Sequence, residues 1–285
     1  MSKLKIALQK KGRLSEKSIQ LIKECGISLT NGNRKLLSLS GNFPLEVLYL
    51  RDDDIPRYVS DGVADIGIVG ENVVKEEKSE VDTLKKLGFA GCRLSLAIPK
   101  EVDYQGVQYF QNKRIATSYP QILQDFFESN NIKADIHEIS GSVEIAPGIG
   151  LSEGIFDIVS TGSTLISNGL KEVEQVMKSQ AVLISKKELS QEKSNLLNQF
   201  LFRIDSVKQS KNNKYILLNA PNDKLDIITG LIPGMKSPTV MPLAEEGWSS
   251  VHSVLNEAVF WDVIDRLREE GAQGILVIPI EKMIV

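Results

Sequence analysis

The segment Asp157-Ile158-Val159-Ser160-Thr161-Gly162-Ser163-Thr164-Leu165 carries the densest chemistry in the chain. An apolar strand runs into four small hydroxyl residues around one glycine, and a helix pattern starts immediately. Exposed amides at such a turn, together with the hydroxyls, form an anion cradle suited to a phosphate. An ordinary strand-to-helix turn with a Ser/Thr cap explains the same residues. Asp157 stands where it faces either a sugar hydroxyl or magnesium-bound groups. With no Walker lysine nearby, nucleotide hydrolysis of the P-loop type is not expected.

A second anion site suggests itself at Lys10-Lys11-Gly12-Arg13, where cations surround a glycine turn after the first strand-like run. An arginine there can grip a polyphosphate bidentately, although a solvated basic turn is the commoner use of a lysine pair. Asp65, Gly67, Gly70 and Glu71 form the corresponding loop further along, with glycines that admit either a ligand or a packed neighbour. Thr117-Ser118-Tyr119-Pro120 adds hydroxyls, and Glu144 is an acid in an apolar stretch, suited to a base, an amine or a helix cap.

Other motifs are set aside. Gly148-x-Gly150-x-x-x-Gly154 has one residue too many for a dinucleotide fingerprint. His137 and His252 are too far apart in sequence for a metal site or triad. The Glu76–Glu80 run reads as solvated surface, and Trp248, Phe260 and Trp261 as core or interface.

The elements that must position these groups alternate. Lys5–Gln9 reads as a buried strand, followed by a helix from Leu14 that stops at Gly26. KLLSLSG and LEVLYLR read as a hairpin through Gly41-Asn42-Phe43-Pro44, DDDIPRYVSDG as a short helix, and ADIGIVG, VDTLKKLG and CRLSLAIP as strands. The pattern restarts at Arg114 with a strand, a helix opened by Pro120, and the strand KADIHEIS. Ser60–Gly70 and Ser152–Gly162 both spell S-(D/E)-G-x-x-D-I-x-x-x-G, displaced by 92 residues (157 − 65). Two similar α/β lobes with a cleft at their strand ends follow. Ser206–Lys214 is polar and basic and reads as a linker to a βαββαβ tail, the ferredoxin-like order.

The 285 residues suit two or three domains at roughly 150 each. A hydrophobic content of 42% excludes a disordered chain, and a formal charge of -3 argues against nucleic-acid or membrane-surface partners. Cys25 and Cys92 lie in no redox or metal spacing. No apolar run nears the 18 or so residues of a membrane span, and MSKLKIALQKKGR lacks a signal-peptide core. A soluble, cytoplasmic protein is expected.

Glu144–Leu165 (EIAPGIGLSEGIFDIVSTGSTL), with QKKGRLS, GVADIGIVG, CRLSLAIP and GMKSPTVMPLA, resembles the ATP phosphoribosyltransferase family across nearly the whole chain, in its long form. The resemblance implies an α/β fold of two periplasmic-binding-protein-like lobes with a C-terminal ACT-like domain. The implied divisions are 1–93 with about 180–205, 94–179, and 206–285. It implies condensation of ATP with phosphoribosyl pyrophosphate (PRPP) to phosphoribosyl-ATP and pyrophosphate, with Mg2+. Catalysis would fall to Lys11, Arg13, Glu144 and Asp157, with Asp157 also toward the metal. PRPP would meet Asp157, Ser160, Thr161, Gly162, Ser163 and Thr164. Further ATP or PRPP contacts would come from Gly12, Asp65, Gly67, Gly70, Glu71, Arg93, Thr117 and Tyr119. Histidine would inhibit through Asn219, Met235, Pro238, Thr239, Leu243 and Ala244, in a homo-oligomer that is a hexamer with dimeric forms. Two departures from the family pattern stand out: Phe89-Ala90-Gly91 precedes Cys92-Arg93, and Asn219 stands where some relatives carry an acid. A solute-binding protein and a phosphoribosyltransferase for another base are the rival readings.

Overall fold

The computed structural model describes residues 2–30 and 37–284, and its chain groups into two compact units. One is built mainly from the first 196 residues. The other runs from Leu197 onward and includes Leu21–Gly26.

In the first unit, β1 (Leu4–Gln9), α1 (Arg13–Glu24), β2 (Leu29–Thr30), β3 (Leu37–Ser40), β4 (Leu45–Leu50), α2 (Ile55–Ser60), β5 (Ile66–Gly70), α3 (Glu71–Glu77) and β6 (Val81–Lys86) come first. Next are β7 (Cys92–Pro99), β8 (Arg114–Thr117), α4 (Pro120–Ser129), β9 (Asp135–Glu138), β10 (Gly154–Val159), α5 (Ser163–Ser167) and β11 (Leu170–Ser179). β12 (Ala181–Lys186) follows, and α6 (Gln191–Lys211) begins in this unit and continues into the second from Leu197. The seven-stranded sheet has the order β2-β3-β4-β1-β5-β12-β6, and the five-stranded one β11-β7-β10-β8-β9. Leu4, Ile6, Ala7 and Leu8 are all fully buried because β1 lies between parallel neighbours and is covered on both faces. The five-stranded lobe packs Phe110, Phe127 and Phe156 against Leu94 and Leu96. The expected hairpin is present as the antiparallel pair β3–β4, although 35–36 of KLLSLSG lie outside the described residues.

The repeat is real but its register differs from the sequence match. β1 and β5 pair Ile6 with Ile66, while β8 and β10 pair Ile115 with Gly154. Matching Ile6 to Ile115 therefore maps 66 onto 154, a displacement of 88 (154 − 66) instead of 92. Asp65 precedes its strand, whereas Asp157 is the fourth residue of its own.

The second unit continues with β13 (Asn213–Pro221), α7 (Leu225–Leu231), β14 (Thr239–Pro242), β15 (Trp248–Asn256), α8 (Glu257–Glu269) and β16 (Gln273–Pro279). Its wholly antiparallel sheet has the order β14-β15-β13-β16. This is the expected βαββαβ unit, cored by Ile216, Leu218, Val251, Phe260 and Leu267. Phe260 is core, but Trp261 is exposed.

The expected linker is absent. Its residues finish α6 at Lys211, and β13 begins at Asn213. Phe200, Ile204 and Val207 recur at helical spacing and are buried. Buried Ser206 and Ser210 turn their hydroxyls onto the carbonyls of Phe202 and Val207, both at 2.9 Å, so neither costs an unmade hydrogen bond.

Candidate functional site

β10 ends at Val159 and α5 starts at Ser163, leaving Ser160-Thr161-Gly162 as the turn between them. Gly162 has φ +84°, a left-handed conformation that favours glycine. Thr161 Oγ1 and Ser163 Oγ stand 3.0 Å apart. A pocket of about 250 Å³ brings together Glu144, Asp157, Ser160, Thr161, Gly162 and Thr164. Six residues singled out in the sequence thus share one cavity. Burial pushes the Asp157 carboxyl up to about 6, and the nearby Glu144 charge adds to the rise, while the Ile158 N–H donating at 2.7 Å works against it. The pocket therefore offers hydroxyls, main-chain amides and a carboxylate that ionises within reach of neutral pH. That set suits the phosphate and hydroxyls of a sugar phosphate.

Arg93 borders this turn without being a free cation. Its Nε and Nη2 each donate at 2.6 Å to the two oxygens of Glu172, and Nη1 donates to the Ser160 carbonyl at 3.1 Å. This ion pair engages the guanidinium expected to contact ATP or PRPP, and it holds the Glu172 carboxyl below its ordinary range.

Lys11, Gly12 and Arg13 are exposed at the C-terminal end of β1, where Gly12 has φ +97° and the Lys10 N–H is tied to Leu50 O at 2.9 Å. Asp65 departs from its expected role. It is buried at the N-terminal end of β5, the end away from that turn, where it accepts the Lys5 N–H at 2.9 Å and Lys193 Nζ at 2.8 Å. Gly67 serves packing, since a β-carbon there would stand 2.7 Å from Ile55 Cγ2 and 3.1 Å from Val59 Cγ2. Gly70 ends β5 and Glu71 opens α3, at the same end of the sheet as the Lys11–Arg13 turn, but Glu71 is paired with Lys86 at 2.9 Å. A β-carbon on Gly70 would strike Asn72 Oδ1.

Thr117 is buried and its Oγ1 accepts the Tyr119 N–H at 2.8 Å, so it shapes the turn and does not present a hydroxyl. Tyr119 lines a cleft of about 300 Å³ with Asp52, Glu76, Ser118 and Glu138. Burial raises its phenol, and the nearby Asp157 and Asp52 charges add to the rise. Glu76, expected to be mere surface, is the residue that sequence reasoning missed: its carboxylate accepts the α4 N–H groups of Gln121 at 2.8 Å and Ile122 at 3.0 Å. The contact spans the two lobes, and no local pattern in the sequence announces it.

In the second unit, Asn219 is in register with Ser250, which in turn is opposite Met241. One strand, β15, therefore separates Asn219 from β14. Thr239 opens β14, with Met235 and Pro238 in the loop before it and Leu243 and Ala244 after it. The six residues are thus spread over β13, β14 and the segments flanking β14. His252 is held by Tyr215 Oη at 2.6 Å and Ser250 Oγ at 3.0 Å, and His137 by Asp135 at 2.9 Å. Among the described residues there is no group of three or more potential metal-binding side chains, and no helix is long and apolar enough to cross a membrane.

Comparison with known proteins bears on this geometry. The ATP phosphoribosyltransferase family model matches residues 51–206, and the HisG C-terminal domain model matches 210–282. The chain is 59% identical over 281 residues to an ATP phosphoribosyltransferase of Cytophaga hutchinsonii, covering 99% of this chain and 98% of that protein. The ATP phosphoribosyltransferase HisG:HisZ complex from Thermotoga maritima matches with TM-score 0.61 and 29% identity, over 71% of this chain and 98% of that one. A histidine kinase sensor domain similar to periplasmic binding proteins matches with TM-score 0.50 and 8% identity, over 73% of this chain and 91% of that one. At that identity the likeness speaks for the fold alone. The lobes are periplasmic-binding-protein-like, and the second unit is ACT-like.

Proposed function

Because this chain belongs to the ATP phosphoribosyltransferase family, a family of pentosyl-transferring enzymes, we propose that its cradle binds the 5-phosphate of PRPP while an adenine nitrogen of ATP attacks the anomeric carbon. The observation that carries this is the pocket uniting Asp157 and Glu144 with Ser160, Thr161, Gly162 and Thr164. The bond formed is nitrogen to anomeric carbon, the bond broken is carbon to pyrophosphate oxygen, and pyrophosphate leaves with the electron pair. Such a displacement needs no protein nucleophile. It needs two polyphosphates aligned and the leaving charge stabilised.

Lys11 and Arg13, exposed at the end of β1, are proposed to neutralise polyphosphate. Asp157 accepts the ribose hydroxyls, and Glu144 stands toward the adenine or takes its proton. Arg13→Ala is expected to lower turnover by about 100-fold with unchanged melting; near-wild-type turnover removes Arg13 from the reaction. Mg2+ is the proposed metal, shielding pyrophosphate when bound. Asp157 and the cradle hydroxyls are hard oxygen donors that fit it, with the substrate's phosphates as further ligands.

We assign 1–93 with about 180–205 to the first catalytic lobe, 94–179 to the second and 206–285 to the regulatory domain. The membership of β12 in the seven-stranded sheet supports the discontinuous first lobe. Histidine is proposed to inhibit through the ACT-like domain by binding one arrangement of subunits better than another. Asn219, Met235, Pro238, Thr239, Leu243 and Ala244 then contribute across subunits of a hexamer or its dimers. A cytoplasmic location fits this metabolic role.

The test is an assay of purified protein with ATP, PRPP and Mg2+, pulled forward by pyrophosphatase and followed by absorbance, with and without histidine. Product suppressed by histidine supports both halves of the reading. Product without suppression removes the regulatory half, and its absence in folded protein that binds PRPP removes the ATP half.

A further inference from the structure

Arg93 is locked by its neighbours. Two of its nitrogens donate to the two oxygens of Glu172, and Ser95 Oγ donates to Glu172 Oε1 at 2.7 Å. These residues meet because Arg93 and Ser95 alternate along β7 on one face, and β11 runs antiparallel beside it. A planar guanidinium held in a carboxylate fork has little freedom left at its remaining nitrogen. The direction of Nη1, which donates to the Ser160 carbonyl, is therefore set by Glu172.

The consequence falls on the next amide. In a planar trans peptide the Ser160 carbonyl and the Thr161 N–H point in opposite directions. Arg93 lines a neighbouring cavity with Gly91, Cys92 and Lys178 that shares Ser160 with the pocket of Asp157 and Thr161, and Arg93 does not line that pocket. Fixing the carbonyl toward Arg93 thus turns the Thr161 amide away from that cavity. We infer that Glu172 is a positioning residue for phosphate binding: through Arg93 it holds the Ser160–Thr161 peptide with its N–H turned to the cradle. The inference rests on the reading of the cradle as the PRPP phosphate site. It also accounts for a cation beside that site whose charge is already balanced.

The experiment compares wild type, Glu172→Gln, Arg93→Gln and the double variant, measuring kcat, KM for PRPP and ATP, and PRPP binding by calorimetry. Glu172→Gln is expected to raise KM and Kd for PRPP about tenfold, with kcat and KM for ATP within about twofold of wild type. The double variant is expected to be no worse than Arg93→Gln alone, because both changes break one chain of contacts. Additive losses, equal losses in every parameter, or unchanged PRPP binding in folded Glu172→Gln would overturn the inference. Should Glu172→Gln not fold, Arg93→Lys carries the test. A lysine keeps the charge but cannot reach Glu172 and the Ser160 carbonyl together, so PRPP binding must weaken if the inference holds. Gly162→Ala, strained at φ +84°, separates the two readings. If it leaves PRPP binding intact, the cradle reading falls. If it abolishes binding that Glu172→Gln preserves, only the positioning role falls.

Discussion

Asp65 and Glu153 hold the same place in the two lobes. Each carboxylate accepts the main-chain N–H of a residue at the start of the neighbouring parallel strand, Lys5 of β1 at 2.9 Å and Arg114 of β8 at 2.8 Å. Each also returns its own N–H to that residue's carbonyl, at 2.9 Å in both lobes. The clasp pins two parallel strands at the end away from the β1–α1 and β10–α5 turns. The countercharge differs: Asp65 meets Lys193 from α6, while Glu153 meets the side chain of Arg114 itself.

Asp65→Asn leaves Lys193 without its anion in a largely buried setting. We expect a loss of about 3 kcal/mol in denaturant unfolding, with KM for PRPP unchanged in the folded fraction. A raised KM at unchanged stability would return Asp65 to the substrate site.

Arg114 holds the Glu153 carboxyl down at about 2. A depressed carboxylate contributes stability above its unfolded value near 4.5, and that contribution is lost as pH falls through about 2. Acid unfolding curves of Glu153→Gln should therefore converge on wild type below this window and lie beneath it above pH 5 or so. Parallel curves throughout would contradict the clasp.

Asp157 behaves in the opposite sense. Its folded carboxyl, pushed up to about 6, binds a proton more tightly than the unfolded one. Unliganded stability should fall as pH rises from about 4 to 6 and stay level above. Asp157→Asn should stabilise the free protein by about 1–2 kcal/mol at pH 7 while raising KM for PRPP. In wild type, PRPP affinity should climb through pH 6 or so as the carboxylate ionises. A flat profile would show that the ionised carboxylate is not what the sugar meets.

Gly67→Ala must move Ile55, Val59 or Ile184, all within 3.3 Å of the added carbon. A loss of about 1–3 kcal/mol is expected, read as a lower melting temperature with kcat and KM unchanged. Impaired kinetics in fully stable protein would mean that a ligand approaches this backbone after all.

The cradle was legible because strand, hydroxyl cluster and glycine are contiguous, so spacing alone brings Asp157 and Ser160–Thr164 together. Asp65 was misread because matching residue types aligned it with Asp157, whereas strand pairing aligns it with Glu153. Identity of type is blind to a four-residue slip; hydrogen bonding between strands is not. Helix α3 escaped notice because ENVVKEE has only two adjacent apolar residues and seven in all. Glu76 and Glu172 act on partners 45 and 79 residues away, so no window of sequence contains their meaning.

Strand β12 lies between β5 and β6, although the whole five-stranded sheet is encoded before it. During synthesis the first lobe must wait with β5 unpaired along one edge until residues 181–186 emerge. By then every strand of the five-stranded sheet has been made. The lobe that begins the chain is therefore the later of the two to finish. An exposed apolar edge on β5, carrying Ile66, Ile68 and Val69, is the aggregation hazard of that interval.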